Sequence, residues 1–177
     1  MISDELQKIG YEIQYQVLNT ADVTHLPQHR ERIYLVYFRD HGDYLRFSFD
    51  FPATHENLPI HHFLEPEVNT KYYYGHHLSI WETIQKETFY QYRRYYVREN
   101  KNGVCPTLTA NMGQGGHNVP LIKDAVGIRK LTPRECFNFQ GFPPDLSDSH
   151  LYRLAGNAVS VPVIEQLAPH IVATLLR

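Results

Sequence analysis

The chain has 177 residues, a net charge of −2 and 42% hydrophobic residues. This length is typical of one domain with a small satellite, and this apolar content suffices for a core, which argues against a disordered protein. The near-neutral charge excludes a uniformly basic protein that coats nucleic acid, although residues 84–110 are locally basic.

Cysteine content and hydropathy narrow the class further. Two cysteines are too few for a disulfide framework, and their positions match no metal-ligand spacing. We find no apolar run long enough to cross a bilayer and no signal peptide at the N-terminus. These features favour a reducing, cytoplasmic compartment.

The N-terminal region has the pattern of a helix followed by two strands. Residues 2–9 carry apolar side chains at helical spacing, and Gly10 ends the helix. Residues 11–18 alternate between apolar and polar, which predicts a half-buried strand. Residues 33–38 are apolar on both faces, as in a covered sheet. Two strands are too few for an independent fold, so we expect this region to complete a sheet whose other strands lie on another chain. The apolar face of the first strand carries Tyr11, Ile13, Tyr15 and Val17.

The middle of the chain predicts a small, loop-rich unit. Residues 40–80 show no regular pattern and are rich in His, Pro and aromatic residues. Helical spacing indicates a short helix over residues 81–92. Two short strands are expected at residues 95–98 and 104–109, and the glycine run at 113–116 predicts a flexible turn.

Two helices with local start signals follow. Thr132 can cap a helix, Pro133 suits its first position, and Glu135 can close a capping box. Gly141 should end this helix. A last helix begins near Ser160, and its apolar positions at helical spacing predict that one face packs against a large surface.

A polar cluster, Gln28-x-Arg30-x-Arg32, lies between the two N-terminal strands. In an extended segment these three side chains point to one side. Two guanidiniums and an amide suit a phosphate, a carboxylate or the carbonyl edge of a base. A solvated charged loop, in which Glu31 pairs with an arginine, is the other interpretation. The position directly before the apolar strand at 33–38 favours a binding site.

Three segments in fixed order carry a family resemblance. They begin at Leu18 (LNTADVTHLPQHRERIYLVYFR), at Arg129 (RKLTPRECFNFQGFP) and at Tyr152 (YRLAGNAVSVPV). Together they resemble the C-terminal half of a DNA (cytosine-5) methyltransferase, over residues 10–39 and 129–177. The resemblance implies an α/β (α+β) fold: the C-terminal part of a class I S-adenosylmethionine-dependent methyltransferase sheet plus a small, loop-rich, mostly β target-recognition domain.

The resemblance also implies roles for single residues. In the family, the arginine matching Arg32 hydrogen-bonds the flipped cytosine, and the residues matching Arg30 and Gln28 order the catalytic pocket. A fixed guanidinium suits the first role because negative charge develops toward the carbonyl oxygen of the base. Cys136 stands where the family often has a non-catalytic cysteine, and we interpret it as a small buried residue. The residues matching Phe142, Asn157, Ala158 and Val159 contact S-adenosylmethionine.

The family's target-recognition domain lies between these blocks. Residues 105–110 and the glycines after them resemble the Thr-Leu segment and glycine-rich loop that approach DNA, since glycine lets the backbone come close to a base or phosphate. Basic and aromatic residues interleave at 90–98, which suits groove and phosphate contact. A Tyr-rich core under a small sheet explains the aromatic residues equally well. The predicted DNA contacts are Thr107, Leu108, Thr109, Gly113, Gly115, Gly116, Arg93, Arg94 and Arg98.

The family's catalytic elements do not occur in this sequence. They are a Phe-x-Gly-x-Gly cofactor loop, a Pro-Cys-Gln loop with the nucleophile and a Glu-Asn-Val segment. We therefore expect a DNA-recognition half or subunit that is inactive alone, with double-stranded DNA and an N-terminal catalytic half as partners and S-adenosylmethionine shared with that half. The implied domains are 1–45 (catalytic-domain strands), 46–128 (target recognition), 129–160 (hinge and cofactor wall) and 161–177 (terminal helix).

Two further hypotheses were weighed against this one. A non-catalytic, sequence-specific DNA-binding or interaction module derived from such an enzyme is the alternative function, and the intact Gln28, Arg30 and Arg32 set argues against it.

Eleven histidines raise the question of a metal site. Neighbours on a strand point to opposite faces, so neither His61–His62 nor His76–His77 should chelate an ion, and no metal is expected.

Overall fold

Two small antiparallel sheets and six α-helices make up the part of the chain that the computed structural model describes. This part comprises residues 2–51, 56–75, 84–86, 88–93, 96–100, 103–113, 119–142 and 151–176. The helices are α1 (Ile2–Lys8), α2 (Thr20–Val23), α3 (His41–Arg46), α4 (Pro133–Asn138), α5 (Leu151–Asn157) and α6 (Val161–Leu175). The strands are β1 (Glu12–Asn19), β2 (Glu31–Phe38), β3 (Phe89–Arg93), β4 (Tyr96–Asn100), β5 (Pro120–Lys123) and β6 (Ile128–Lys130).

The first sheet is the antiparallel hairpin of β1 and β2, and the predicted helix and both strands are confirmed. Gly10 has a φ of 91°, a left-handed conformation that glycine adopts without strain and that turns the chain from α1 into β1. One face of the hairpin packs on α3 and α6 through Phe38, Phe47 and Leu167. The side-chain amide of Gln14 donates to the carbonyl of Phe47 at 3.0 Å and ties β1 to the end of α3.

The opposite face of the hairpin is apolar and open to solvent. Tyr15 lies opposite Leu35 and Val17 lies opposite Ile33, and their exposed fractions are 65%, 41%, 58% and 54%. We name these four side chains the open hairpin face. The predicted alternation along β1 is confirmed. Tyr11 and Ile13 are half-buried, as predicted for this side, whereas Tyr15 and Val17 are exposed because α3 and α6 pack against the other side.

The second sheet has the strand order β4-β3-β5-β6 and is antiparallel throughout. The predicted helix over residues 81–92 is wrong where the structure describes it, because Phe89 begins β3. Phe89 and Tyr90 point to opposite faces of this sheet and both are buried, in separate cores. Aromatic side chains fit a pleated, covered surface, and this pairing overrides the helical spacing. The strand predicted at 95–98 is found as β4.

Two other sequence predictions for the middle of the chain need correction. The predicted strand at 104–109 reduces to one isolated parallel bridge, between Cys105 and Gln28. The region predicted to be irregular contains α3, whose start is capped by the Asp40 side chain accepting from the backbone of Asp43. It also contains two short 3-10 helices, Ile60–Phe63 and Thr70–Tyr72.

The largest core joins the second sheet to α4 and α5. Its buried members include Phe89 from β3, Leu108 from the loop after β4, Phe139 after α4 and Ala155 from α5. β6 ends at Lys130, so the sheet continues past residue 128, where the target-recognition domain is predicted to end. The predicted domain bounds therefore stay a prediction.

The C-terminal helices begin as the sequence predicts. Thr132 and Glu135 form a reciprocal capping box at α4, and Gly141, with a φ of 80°, follows its end. By length and composition alone, the stretch Leu151–Leu175 could cross a membrane, contrary to the sequence prediction. It consists of α5 and α6 with extended residues between them, and Val163 and Leu167 are buried within this chain. Core helices pass the same criterion, so this stretch is weak evidence for a membrane.

Candidate functional site

The first and third sequence blocks and the predicted Thr-Leu segment meet at the side chain of Arg30. Its Nη1 donates to the carbonyl of Leu108 at 2.9 Å, and its Nη2 donates to the carbonyls of Gly156 at 3.1 Å and Ala158 at 2.6 Å. Arg30 is only 3% exposed. We call residues 26–30, 105–109 and 156–160, which this guanidinium links, the Arg30 junction.

Backbone pairing holds the first two segments of the junction together. Cys105 donates its N–H to the carbonyl of Pro27 at 2.6 Å, and His29 donates its N–H to the carbonyl of Cys105 at 2.8 Å. The hydroxyl of Thr107 donates to the carbonyl of His29 at 2.7 Å. The loop before β2 is thus fixed to the predicted Thr-Leu segment by hydrogen bonds within this chain.

The charge on Arg30 lies in an unusual environment. Burial, and secondly the nearby charge of Arg32, lower the pKa of Arg30 to about 10. The side chain is therefore still protonated at neutral pH. Its described partners are backbone carbonyls, so carbonyl dipoles rather than a carboxylate balance the charge.

Arg32 lies in contrasting surroundings two residues later. It is exposed, and its Nη1 donates to the carbonyl of Glu31 at 2.6 Å. Among the ion pairs of the described residues, none joins Glu31 to an arginine, as the charged-loop interpretation required. The predicted common side for the three polar residues holds only for Gln28 and Arg30, which are both buried. Arg32 presents its guanidinium to solvent.

Gln28 is fully buried, and neither its amide nitrogen nor its amide oxygen has a hydrogen-bond partner within the described ranges. Leaving a buried polar group unsatisfied costs roughly 1–3 kcal/mol. Arg30 Nε is unsatisfied in the same way. The junction therefore contains unused hydrogen-bonding capacity next to its most highly coordinated side chain.

Three of the predicted cofactor residues lie at the end of α5 and directly after it, and the fourth, Phe142, lies after α4. Asn157 and Val159 are exposed, Ala158 is half-buried, and the Phe142 ring packs edge-on against Phe137 at a centroid distance of 5.4 Å. Gly156 precedes them because a Cβ there would overlap the backbone of residues 109–110. An amide, an aliphatic side chain and an aromatic ring fit one wall of a pocket for a nucleoside such as that of S-adenosylmethionine.

The predicted DNA contacts are only partly described. Leu108 is fully buried, so its side chain packs in the core rather than facing DNA. Thr109 and Gly113 are exposed next to the junction, Thr107 is half-buried, and Arg98 is exposed on β4. The positions outside the described residues are Gly115, Gly116, Arg94 and the side chain of Arg93.

Neither cysteine is placed to act as a nucleophile. Cys105 and Cys136 are both fully buried, and burial raises the pKa of each thiol. The structure therefore agrees with the interpretation of Cys136 as a small core residue.

The histidine argument needs a correction. His61 and His62 lie in a 3-10 helix rather than a strand, and their rings stack at 4.6 Å. Within the described residues no group of three or more His, Cys, Asp or Glu side chains could hold a metal ion. The pair His76–His77 lies outside the described residues.

Sequence reasoning missed a buried ionic cluster at the base of the second sheet. Arg129, which is 1% exposed, forms a two-pronged pair with Glu135 at 2.7 and 2.8 Å and also donates to Asp124 at 2.7 Å. Burial lowers the pKa of Arg129, but the two carboxylates outweigh it and raise the pKa overall. Tyr73 donates to Asp124 at 2.7 Å, which joins residues far apart in sequence. Only the capping role of Glu135 had a local sequence signal.

Comparison with known proteins decides the family. The model of the C-5 cytosine-specific DNA methylase family matches residues 1–173. This chain belongs to that family. Members of the C-5 cytosine-specific DNA methylase family and the structural neighbours use S-adenosylmethionine.

Among curated relatives of this methylase-family chain, the type II methyltransferase M.Bsp6I of Bacillus sp. (strain RFL6) is 50% identical over 189 residues. That match covers 99% of this chain and 60% of M.Bsp6I. The type II methyltransferase M.HaeII of Haemophilus aegyptius is 33% identical, over 99% of this chain and 55% of its own length. The chain thus spans about 60% of such relatives or less.

Solved structures agree on the fold. The Entamoeba histolytica methyltransferase EhMeth matches with a TM-score of 0.73 at 18% identity, over 99% of this chain and 58% of that chain. S. pombe Dnmt2 matches with a TM-score of 0.68 at 19% identity, over 99% and 60% respectively. The predicted α/β (α+β) class, with small antiparallel sheets and class I methyltransferase neighbours, is confirmed.

Proposed function

We propose that this chain is the DNA-recognition half of a DNA (cytosine-5) methyltransferase, which methylates carbon 5 of a cytosine in a specific duplex site only together with an N-terminal catalytic half. The observation that carries the proposal is the Arg30 junction, where the family's arginine block, Thr-Leu segment and Asn157 segment meet. The missing half would supply the nucleophilic cysteine and the cofactor loop. The bacterial cytoplasm is the expected compartment, because DNA and S-adenosylmethionine are both available there.

Arg32 is the residue we assign to the extruded cytosine. Attack at carbon 6 of the ring moves negative charge toward the carbonyl oxygen, and a guanidinium beside that oxygen stabilises the transition state. The exposure of Arg32, two residues after the buried Arg30, supports this assignment. Taking the base out of the stack costs a few kcal/mol, which contacts between DNA and this half would offset.

Arg30 and Gln28 are positioning residues in this proposal. Arg30 holds the carbonyls of Leu108, Gly156 and Ala158, so it sets the path of the segment that displays Asn157 and Val159. S-adenosylmethionine supplies the methyl group when it is bound. The chain's own contribution is one wall, formed by Asn157, Ala158, Val159 and Phe142.

The proposed partner binds two apolar surfaces. One is the open hairpin face of β1 and β2. The other is a stripe on α6 formed by Ile164, Val172 and Leu175, which are 39%, 49% and 56% exposed. Exposed apolar area of this extent is a typical interaction surface. About 40% of the length of M.Bsp6I lies outside the match, and a segment of that kind is the occupant we propose.

The proposed contacts to DNA are Thr107, Thr109, Gly113 and Arg98, together with Gly115, Gly116, Arg93 and Arg94 outside the described side chains. Thr109 lies in the junction, Gly113 follows four residues later, and both are exposed. Leu108 contributes through its carbonyl, which positions Arg30.

Reconstitution tests the proposal. The chain is mixed or co-expressed with the part of M.Bsp6I that lies outside the match, and plasmid DNA is mapped by bisulfite sequencing. We expect methylation from the mixture and none from either half. Methyl transfer by this chain alone would refute the proposal, as would an inactive mixture in which the two halves form a stable complex.

The role of Arg32 is tested in the same complex. Arg32→Ala should lower kcat by roughly 10²–10³-fold, the effect of losing one oxyanion donor, with little change in DNA affinity. Arg39→Ala is the matched control, since Arg39 is also exposed and lies just beyond β2. Equal effects of the two changes would remove Arg32 from the mechanism.

A non-catalytic DNA-binding module is the second candidate function. The burial of both cysteines favours it, because the chain presents no nucleophile of its own. This candidate predicts sequence-specific binding to duplex DNA by the chain alone, measured by fluorescence anisotropy, with no gain on adding an N-terminal half. The methyltransferase proposal predicts that tight binding requires both halves.

A further inference from the structure

We propose that Thr20, Gln140 and Ser160 form a positioning network that fixes the cofactor wall for an adenosyl ligand; this inference rests on the proposed function. All three side chains are buried, with exposed fractions of 1%, 0% and 1%. The hydroxyl of Ser160 lies 2.8 Å from the hydroxyl of Thr20 and 3.0 Å from the amide oxygen of Gln140. The three residues come one from each sequence block.

Hydrogen-bond donors and acceptors give the network a direction. The amide nitrogen of Gln140 donates to the carbonyl of Ala155 at 2.9 Å, so its amide oxygen faces Ser160. Ser160 must therefore donate its single hydroxyl hydrogen to Gln140. Its oxygen then accepts from Thr20, whose alternative acceptor, the carbonyl of Arg30, is more distant at 3.4 Å.

The network holds both ends of the segment that displays the cofactor residues. The side-chain amide of Gln140 donates to the carbonyl of Ala155, before the segment. The backbone carbonyl of Gln140 accepts the N–H of Val161, after the segment, at 2.8 Å. Arg30 holds the middle through two carbonyls. Between these attachments the side chains of Asn157 and Val159 are free to face a ligand.

Thr20 connects this clamp to the loop that carries the arginines. Its N–H donates to the carbonyl of Arg30 at 3.0 Å, and its own carbonyl accepts the hydroxyl of Thr24 at 2.7 Å. A shift at Thr20 would therefore move the Arg30 loop and the Asn157 segment together. Because the three side chains are buried and bond to protein groups, they should affect cofactor affinity more than chemistry.

The test uses the reconstituted complex of the two halves and variants that keep shape. Thr20→Val removes the hydroxyl at constant volume, and Ser160→Ala removes the central hydroxyl. Thr20→Ser keeps the hydroxyl and is the conservative rescue. Thr174→Val is the matched control, because Thr174 is also buried and donates to the carbonyl of His170 within α6, away from the network.

Equilibrium binding of S-adenosylhomocysteine, measured by calorimetry, is the main readout. We expect Thr20→Val and Ser160→Ala to weaken binding roughly tenfold, the consequence of leaving a buried polar group unpaired. The KM for S-adenosylmethionine should rise in parallel while kcat stays within about twofold of wild type. Thr20→Ser and Thr174→Val should bind like wild type, and the melting temperatures report any general loss of stability.

Two failures are distinguishable. If Thr20→Val and Thr174→Val lower the melting temperature alike and neither changes ligand affinity, the network is merely structural and the inference is overturned. If the wild-type complex neither binds S-adenosylhomocysteine nor methylates DNA, the proposed function itself fails, and the inference fails with it. If Ser160→Ala does not fold, the volume-conserving Thr20→Val still provides the test.

Discussion

The Arg30 junction and the open hairpin face differ in how far this chain supplies their contacts. The chain provides hydrogen-bond partners at the junction, but it leaves the apolar side chains of the hairpin face uncovered. At the junction, one guanidinium binds three carbonyls, and Ser160 bonds to the buried side chains of Thr20 and Gln140, all supplied by the described residues. On the hairpin, four large apolar side chains opposite one another in register are left in water. The polar groups of the junction are thus mostly paired within this chain, while the hairpin sheet is left open on one side.

This difference shows why neighbouring residues can have opposite roles. Arg30 and Arg32 are two positions apart, yet one is buried in the junction and the other lies at its surface. Interactions at the junction should govern the stability of this chain. Interactions at the hairpin and at Arg32 should govern what the chain does with partners.

The largest expected effect on stability separates the two arginines. Arg30→Met leaves three buried carbonyls without their donor and should lower the free energy of unfolding by on the order of 3 kcal/mol. Arg32→Met removes an exposed charge and should change it by less than about 0.5 kcal/mol. Urea unfolding followed by circular dichroism measures both, and equal losses would contradict the contrast between junction and surface.

A glycine pair tests how tightly the junction is packed. Gly156→Ala places a methyl group on the backbone of residues 109–110, so we expect a loss of about 2 kcal/mol from overpacking. Gly127→Ala is the matched control, because the nearest described atom to its Cβ is 3.7 Å away in the Tyr73 ring. Thermal unfolding of both variants is the measurement, and a tolerated Gly156→Ala would show that the segments are loosely apposed.

Two fully buried glutamines sharpen the comparison. Gln28 lies in the junction, and Gln140 is hydrogen-bonded to the junction residue Ser160. The Gln140 amide is satisfied at both ends, so Gln140→Met should cost about 1.5 kcal/mol of stability. The Gln28 amide has no described partner, so Gln28→Met should leave stability unchanged or raise it by up to about 1 kcal/mol. We expect Gln28→Met to lower methylation in the reconstituted complex nonetheless. A large loss of stability from Gln28→Met would indicate a structural role only.

The smallest effect concerns the hairpin. Val17→Asp places a charge on the open hairpin face and should weaken association with the N-terminal half about tenfold, or about 1.4 kcal/mol. The stability of the chain alone should stay within about 0.5 kcal/mol of wild type. Val126→Asp is the control, since Val126 is 75% exposed in the turn between β5 and β6. Surface plasmon resonance measures association, and equal affinities of both variants would place the partner elsewhere.

Local signals in the sequence predicted the ends of the chain well. The start of α4 was predictable because its capping box lies within four residues, and the start of α6 because apolar spacing runs for four turns. The helix predicted over 81–92 was wrong because the pairing of β3 with β4 and β5 is a tertiary effect that residue spacing does not report.

The sequence motif names candidate site residues, which stay a prediction, but it does not give their geometry. The residues Gln28, Arg30 and Arg32 were found from a motif, yet alternation placed them on one side and the structure separates Arg32 from the other two. The carbonyls that bind Arg30 lie 78, 126 and 128 positions further along the chain, so no local pattern indicates them. The contacts of Thr20 with Ser160 and of Arg129 with Asp124 and Glu135 were missed because each depends on the fold.

The two buried thiols have a practical consequence. Both native cysteines are shielded and have raised pKa values, so alkylating reagents should react slowly with the folded chain. The thiol of Cys105 lies on the strand-like segment that pairs with Pro27 and His29. The rate at which Cys105 is alkylated, measured by mass spectrometry, should therefore report how often that contact opens. This measurement needs no engineered label in the protein.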